Sequence, residues 1–362
     1  MAELDKWLGQ MREHKASDLH LTVGHKPKWR VHGDMEVIDF PVLTNEYLGK
    51  VLRELCTPEQ WEAYQRDNDL DFAYSIEGYA RFRSNYLRQQ YGMAAVFRMI
   101  PDKVLTFEQL GLPNTVLQFV ELGFGLVLVT GPTGSGKTTT LASIINYINE
   151  HYRRHVLTIE EPIEFVHPHK QCLMTQREVH MHTHSFSAAL RSAMRMDPNV
   201  ILVGEMRDPE TISLALSCAE MGILVFGTLH TNSAAKTVDR IVDVFSSEEQ
   251  ARVRTMLASS LMGVIAQQLL RTADGKGRVA AFEILVGSAA LGSLIRAGQS
   301  SKIESMIQGG GRSGMQTMDS HIMKLLEAGK VNGEEAYMKA FDKKLFEKFF
   351  SFEVKEDEEE EK

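Results

Sequence analysis

The residues best suited to chemistry in this 362-residue chain are the run Gly131-Pro132-Thr133-Gly134-Ser135-Gly136-Lys137-Thr138. Two glycines frame four residues, and a lysine and a hydroxyl follow, which is the pattern of a phosphate-binding loop. Glycines let the backbone curl so that successive N–H groups face phosphate oxygens, and the start of a following helix adds positive potential. Lys137 can then reach the β- and γ-phosphates of ATP, while the Thr138 hydroxyl suits Mg²⁺. The candidate nucleotide contacts are Thr133, Gly134, Ser135, Gly136, Lys137, Thr138 and Thr139. A chance Gly/Ser/Thr turn is the plainer alternative, and the flanks argue against it. Gly125 to Thr130 is short, apolar and β-prone, and Thr138 to Asn149 carries Leu141, Ile144, Ile145 and Ile148 at helical spacing.

Hydrolysis needs more than a phosphate loop: a carboxylate to orient water, ligands for the metal, and positive charge on the migrating phosphoryl group. In parallel α/β sheets such groups sit at the C-terminal ends of strands. Ile201-Leu202-Val203-Gly204-Glu205 ends in a carboxylate, with Gly204 where a metal-side Asp is usual. Thr158-Ile159-Glu160-Glu161-Pro162 offers two more, and Gly227 to Thr231 places His230 just past a third strand. The bland readings are that an acid caps a helix or pairs with Arg207, and that His230 is structural. Arg81 and Arg83 are two apart on a predicted strand and so share a face, with Arg98 on a neighbouring strand. These arginines either supply the phosphate-facing charge or pair with carboxylates such as Asp69 and Asp71. Arg195, beyond a helix predicted from Phe186, is a further candidate. His180, His182 and His184 alternate, but no predicted strand confines them to one face, so they read as loop surface.

The elements that must hold these groups fall into two sets. Up to about residue 100 the chain reads as an α+β module. A short amphipathic helix carries Leu4, Trp7, Leu8 and Met11, and a strand carries Leu19, Leu21 and Val23. Hairpins are predicted at His32-Gly33-Asp34 and Glu77-Gly78, one helical stretch from Asn45 to about Tyr64, and a strand from Met93 to Ile100. Breakers over 101–115 mark a linker. Over 116–345 strands alternate with helices, the signature of a doubly wound, mainly parallel sheet. Asp208-Pro209 predicts a capped helix start running to about Glu220. A long helix is predicted from Glu248 to Leu270, and a helical subregion beyond Ala289. The phenylalanines at 341, 346, 349, 350 and 352 suggest a docked terminal helix or a partner-binding motif. The residues 346–362 end the chain in an acidic tail, which reads as solvated.

Bulk properties exclude several classes. A hydrophobic content of 43% and a charged content of 24% suit a globular chain with a substantial core. A net charge of −8 argues against a protein built to grip nucleic acid. Cys56, Cys172 and Cys218 have no paired spacing, as expected in a reducing cytoplasm. The start Met1-Ala2-Glu3-Leu4-Asp5 lacks a signal-peptide layout, and no apolar run approaches the roughly 20 residues of a membrane span.

Taken together, these motifs resemble the secretion ATPase superfamily, and within it the PilT family of type IV pilus retraction ATPases. The resemblance runs from Ala16-Ser17-Asp18-Leu19-His20-Leu21 to Gly314-Met315-Gln316-Thr317. It includes Gly204-Glu205-Met206-Arg207-Asp208, Thr228-Leu229-His230-Thr231, and Ile295-Arg296-Ala297-Gly298-Gln299, a shortened form of the family's retraction-linked motif. Glu161 stands where that family usually has Asp. The resemblance implies a PAS-like N-terminal domain followed by a RecA-like ATPase domain with C-terminal helices. It implies Glu205 as general base, Glu160 ordering Mg²⁺ and water, and His230 sensing the γ-phosphate, with arginines of the first domain reaching the phosphates. It also implies a cytoplasmic homohexamer at the inner face of the inner membrane. That hexamer would work on an inner-membrane platform protein, and through it on pilin, alongside a possible paralogous retraction ATPase. Accessory PilU-type and pilus-assembly ATPases of the superfamily are the near alternatives. The assembly members usually carry a longer N-terminal region and a four-cysteine zinc motif, both absent here. A nucleic-acid motor on a RecA-like core and a non-hydrolysing nucleotide-gated adaptor are the alternatives from other classes.

Overall fold

The computed structural model describes residues 2–31, 33–100 and 103–350. The chain divides into two units. The first comprises Met1–Val104 with Glu160–Pro168 and Gln176–His184, and the second comprises Leu105–Ile159, His169–Thr175 and Ser185–Lys362.

In the first unit, α1 (Asp5–Gln10) leads into β1 (Ala16–Thr22), β2 (Lys28–Val31) and β3 (Asp34–Val37). Then come α2 (Asn45–Arg53), α3 (Pro58–Asp67), β4 (Asp69–Ile76), β5 (Ala80–Gln89) and β6 (Gly92–Ile100). The strands form one antiparallel sheet in the order β3-β2-β1-β6-β5-β4. Both predicted hairpins form, although His32 of the first turn lies outside the described residues. The helical stretch predicted from Asn45 to Tyr64 is two helices. Thr57 accepts from the Gln60 N–H while the Gln60 side chain accepts from the Thr57 N–H, with Pro58 opening α3. Such a reciprocal cap starts a new helix and cannot lie inside one. Period-2 alternation along β5 sends Ala80, Phe82, Ser84 and Tyr86 into the core and leaves Arg81 and Arg83 on the other face.

The second unit opens with α4 (Phe107–Leu110) and α5 (Thr115–Glu121), then β7 (Gly125–Thr130), α6 (Lys137–His151), β8 (His155–Glu160) and β9 (Leu173–Glu178). It continues through α7 (Phe186–Ala193), β10 (Val200–Val203), α8 (Pro209–Glu220), β11 (Leu224–Leu229), α9 (Ala234–Asp243) and α10 (Ser247–Ser260). The last elements are β12 (Leu261–Arg271), β13 (Arg278–Val286), α11 (Ala289–Arg296), α12 (Ile303–Gly309), α13 (Met318–Glu327) and α14 (Gly333–Lys339). The sheet order is β13-β12-β7-β11-β10-β8-β9. β12, β7, β11, β10 and β8 run parallel, and β13 is an antiparallel edge on β12. Every residue of β7 and β11 is buried, as strands flanked on both sides in a parallel sheet must be. Asp208 caps α8 through the Thr211 N–H with Pro209 at the first position, as its sequence predicts.

The helix predicted from Glu248 to Leu270 ends at Ser260, and the rest is β12. An apolar run such as Leu261 to Ala266 satisfies helical and strand periods alike, and tertiary pairing decides between them. Here the run is hydrogen-bonded to β7 on one side and β13 on the other. Gly263 also admits the Phe119 ring of α5, which would lie 2.4 Å from a Cβ at that position. At the C-terminal end, the Phe-rich segment docks as two 3₁₀ turns instead of a helix. Phe346 is fully buried with Met318, Ile322, Leu325 and Ala336, and Phe350 stacks on Tyr337. Phe352 and the acidic run lie outside the described residues.

Candidate functional site

Strand β7 delivers the chain into the phosphate loop, and α6 leaves from it. Gly131, Gly134 and Gly136 have φ of +149°, +77° and +89°, a region other residues rarely adopt. Gly136 is the residue before the first turn of α6, so the loop ends at the helix N-terminus, where backbone N–H groups lack intrahelical partners. Thr133, Gly134 and Thr138 are exposed and Thr139 is half-buried, whereas Ser135 is buried. Lys137 is buried and folds back onto its own loop, donating to the carbonyls of Gly131 at 2.9 Å and Pro132 at 3.2 Å. Burial lowers its ammonium pKa below the ordinary 10.5, and the Glu205 carboxylate partly offsets that.

Two neighbouring strand ends complete a relay with this lysine. Glu205 lies two residues past Val203, the end of β10, and His230 follows β11. His230 Nε2 and Glu205 Oε1 are 2.8 Å apart, and His230 Nδ1 stands 3.5 Å from Lys137 Nζ. With an ammonium facing Nδ1, that nitrogen accepts and Nε2–H donates to the carboxylate. Arg207 also donates to Glu205 Oε1. Burial pushes the Glu205 carboxyl up, but Arg207 and His230 outweigh it and leave it below the ordinary 4.5. Sequence reasoning weighed a general base against an ion pair with Arg207; the ion pair forms, on a carboxylate that also meets His230. Beneath the strand ends, Thr231 and Thr237 share a 2.6 Å hydrogen bond, and Thr228 donates to the Gly204 carbonyl at 2.5 Å.

Glu160 ends β8, beside β10. It is buried and accepts from Gln176 Nε2 at 3.3 Å. The exposed Glu161 contacts His180 Nε2 at 2.9 Å. His182 Nδ1 accepts from the Glu178 N–H, so these histidines work within their own loop. Among the described residues, no group of three or more His, Cys, Asp or Glu is placed to hold a metal by itself. Within the second unit, the Glu205 carboxylate and the Thr138 hydroxyl are oxygen donors of the kind a hard cation takes together with phosphate oxygens and water.

Arg81, Arg83 and Arg98 lie in the first unit, each with a partner there, whereas Arg195 lies in the second. Arg81 donates to the Ile163 carbonyl at 3.1 Å and lies 3.9 Å from the buried Glu178, which itself accepts from the Ile163 N–H at 3.0 Å. Arg98 donates to the buried Asp18 at 2.7 Å, with Arg30 at 3.9 Å on the same carboxylate. Among the described residues Arg83, directly opposite Arg98 across β5 and β6, has its one ion-pair partner in Asp71 at 3.9 Å.

Sequence reasoning missed one residue that touches the phosphate loop. Gln267 sits on β12, in the stretch read as helix, and its Nε2 donates to the Ser135 carbonyl. No motif marks it; its place next to β7 is the only signal.

A glycine-built loop between a buried parallel strand and a helix, with its lysine linked through histidine to a strand-end carboxylate, defines a P-loop nucleoside triphosphatase. Residues 2–337 match the family described as Type II/IV secretion system protein, and the chain belongs to that family. It is 51% identical over 325 residues to the type IV pilus retraction ATPase PilT of Pseudomonas aeruginosa, covering 90% of this chain and 94% of that protein. It is 53% identical over 314 residues to a twitching motility protein of Neisseria gonorrhoeae, covering 87% of this chain and 84% of that one. Its fold superposes on a crystal structure of the pilus retraction motor PilT with bound ADP. There the TM-score is 0.87 at 42% identity, over 96% of this chain and 99% of that one.

Proposed function

We propose that this chain is an ATP-hydrolysing motor that powers retraction of type IV pili. The observation that carries the hydrolytic step is the continuous contact from Lys137 through His230 to Glu205. It ties the phosphate-binding lysine to the carboxylate that would activate water. The retraction assignment is supported by the extent of likeness to the two retraction and twitching proteins, which spans both units.

In this reading ATP binds with its phosphates on the N–H groups of residues 133–139, and Lys137 leaves its two loop carbonyls for the β- and γ-phosphates. Glu205 accepts the proton of the attacking water, and His230, placed between Glu205 and Lys137, senses the γ-phosphate that Lys137 now holds. Thr138, Glu160 and Glu205 would hold Mg²⁺, which would supply charge neutralisation at the phosphates. Arg81, Arg83 and Arg98 add positive charge once released from their present partners. The working form is a cytoplasmic homohexamer at the inner face of the inner membrane, in which hydrolysis rotates one unit of each chain against the other. Its output passes to a platform protein in that membrane and so to pilin, with a paralogous retraction ATPase as a further partner. Residues 1–100 and 116–345 are the moving domains and 101–115 the linker.

Glu205→Gln tests the core of this reading. The variant is expected to bind ATP with affinity close to wild type and to lose hydrolysis by about 10² or more, as removing a general base does. Hydrolysis at the wild-type rate, measured as phosphate release, would remove Glu205 from the base role.

A further inference from the structure

We infer that Gln267 is a positioning residue for ATP binding: its side-chain amide locks the Ser135–Gly136 peptide plane so that the Gly136 N–H faces the phosphates. This rests on the nucleotide-binding reading above and adds a residue to it.

A peptide unit is planar, with its C=O and N–H on opposite sides. Fixing the Ser135 carbonyl therefore fixes the Gly136 N–H pointing the other way. Gln267 Nε2 donates to that carbonyl, so the oxygen is held against β12. Were the plane to flip, a carbonyl dipole would replace an N–H donor where anionic oxygens bind, turning attraction into repulsion. The loop does not enforce the orientation by itself. Gly131, Gly134 and Gly136 all lie at positive φ, and glycine crosses between conformers at little steric cost. The plane has a glycine on one side and a glycine one residue before Ser135 on the other, so an external hold is required.

The surroundings show that Gln267 is built for this task. Its side chain is 1% exposed. Two of the loop glycines lie directly on it: a Cβ at Gly131 would stand 2.3 Å from the Gln267 carbonyl oxygen, and one at Gly136 would stand 3.2 Å from Nε2. Among the described residues, neither Gln267 Oε1 nor Ser135 Oγ, both buried, has a hydrogen-bond partner. A buried amide that leaves its acceptor unpaired is costly, and an apolar side chain would avoid that cost. The single bond to Ser135 is what the amide gains in return. The pairing of β12 beside β7, Ala266 opposite Thr130, puts residue 267 level with Gly131 and the loop start.

The test compares wild type, Gln267→Met and Gln267→Asn as full chains, by ADP titration, steady-state ATP hydrolysis and thermal unfolding without nucleotide. Met keeps the length and volume but has no donor, and Asn keeps the amide but falls one methylene short. Both are expected to bind ADP about tenfold more weakly or worse, as loss of a bond to a buried carbonyl implies. KM for ATP should rise more than kcat falls, with the unfolding midpoint without nucleotide little changed. Binding of ADP by Gln267→Met within twofold of wild type would overturn the assignment, whatever its stability. If the Met variant does not fold, Gln267→Asn decides on the same criterion. Failure of the wild type itself to bind ADP would instead remove the ATPase reading.

Discussion

His230 and Glu205 share a 2.8 Å hydrogen bond, although 25 residues separate them. The other ring nitrogen of the same imidazole faces Lys137. Contact between adjacent strand ends thus puts the charge of the phosphate lysine and the charge of the candidate base in electrical contact. Replacing either end changes the electrostatics of the other.

Arg207 is expected to set the acid limit of hydrolysis. Glu205 has its pKa below 4.5 because Arg207 and His230 outweigh burial. A carboxylate with a lowered folded pKa stabilises the fold above its unfolded value, and that contribution is lost as pH falls through the folded one. The candidate base therefore stays ionised below the usual carboxylate range. Arg207→Ala is expected to move the acid limb of the kcat/KM profile to higher pH, with little change at pH 8. An unmoved acid limb would show that another group governs it.

Lys137 gives a signature on the alkaline side. Its folded pKa lies below 10.5, chiefly through burial. Between the folded and unfolded values the unfolded chain binds more protons, so this group makes stability rise with pH in that window. Phosphate binding needs the ammonium and runs the other way. ADP affinity is expected to fall as pH rises through the lowered value, earlier than for a solvent-exposed lysine. Lys137→Arg stays charged and should show a flat alkaline profile, measured by titration from pH 7 to pH 10.

Gly131 tolerates no side chain. A Cβ there would meet the Gln267 carbonyl oxygen at 2.3 Å and Ser135 Oγ at 2.6 Å, in a backbone conformation with φ +149°. Gly131→Ala is expected to cost about 2 kcal/mol or more of stability, from overpacking and backbone strain together. ADP binding should also be lost. Denaturant unfolding measures the first and titration the second, and a stable variant that binds ADP normally would contradict the geometry.

Arg83 separates a phosphate role from a structural one more cleanly than Arg81 or Arg98. Its link to Asp71 spans 3.9 Å between two side chains that are each nearly half exposed, so it adds at most about 1 kcal/mol. Arg83→Ala is expected to unfold at nearly the wild-type temperature and to bind ADP, with hydrolysis reduced by about 10³ if it acts as phosphate-contacting arginines do elsewhere. Undiminished hydrolysis would return Arg83 to the role of a surface ion pair. Arg98→Ala lacks this clarity, because it strips the buried Asp18 of its nearest cation.

The local order of strand, glycine loop and helix was legible from residues 125 to 149, because backbone freedom at Gly131, Gly134 and Gly136 and the apolar spacing of α6 are local properties. The ends of β8, β10 and β11 were legible too, since each is an apolar β-prone run stopped by a polar residue or, for β10, by Gly204. Asp208-Pro209 announced α8 through capping chemistry alone. The break between α2 and α3 was also written locally, in Thr57, Pro58 and Gln60, and its omission was a failure to use that signal.

Other features depended on contacts between distant segments. Leu261 to Arg271 has an apolar pattern that suits a helix as well as a strand, and only the open edges of β7 and β13 made it β12. That choice carried Gln267 onto the phosphate loop, where no spacing rule could have put it. Asp71 was among the carboxylates named for the arginines and does meet Arg83, but Asp18 and Glu178 were not, since they reach Arg98 and Arg81 only through sheet register and chain crossing. The sequence by itself marked the phosphate loop, the acids and the histidine as candidates, because residue type and local backbone geometry carry that chemistry. Tertiary structure decided which of them touch, because strand order joins residues that the chain keeps far apart.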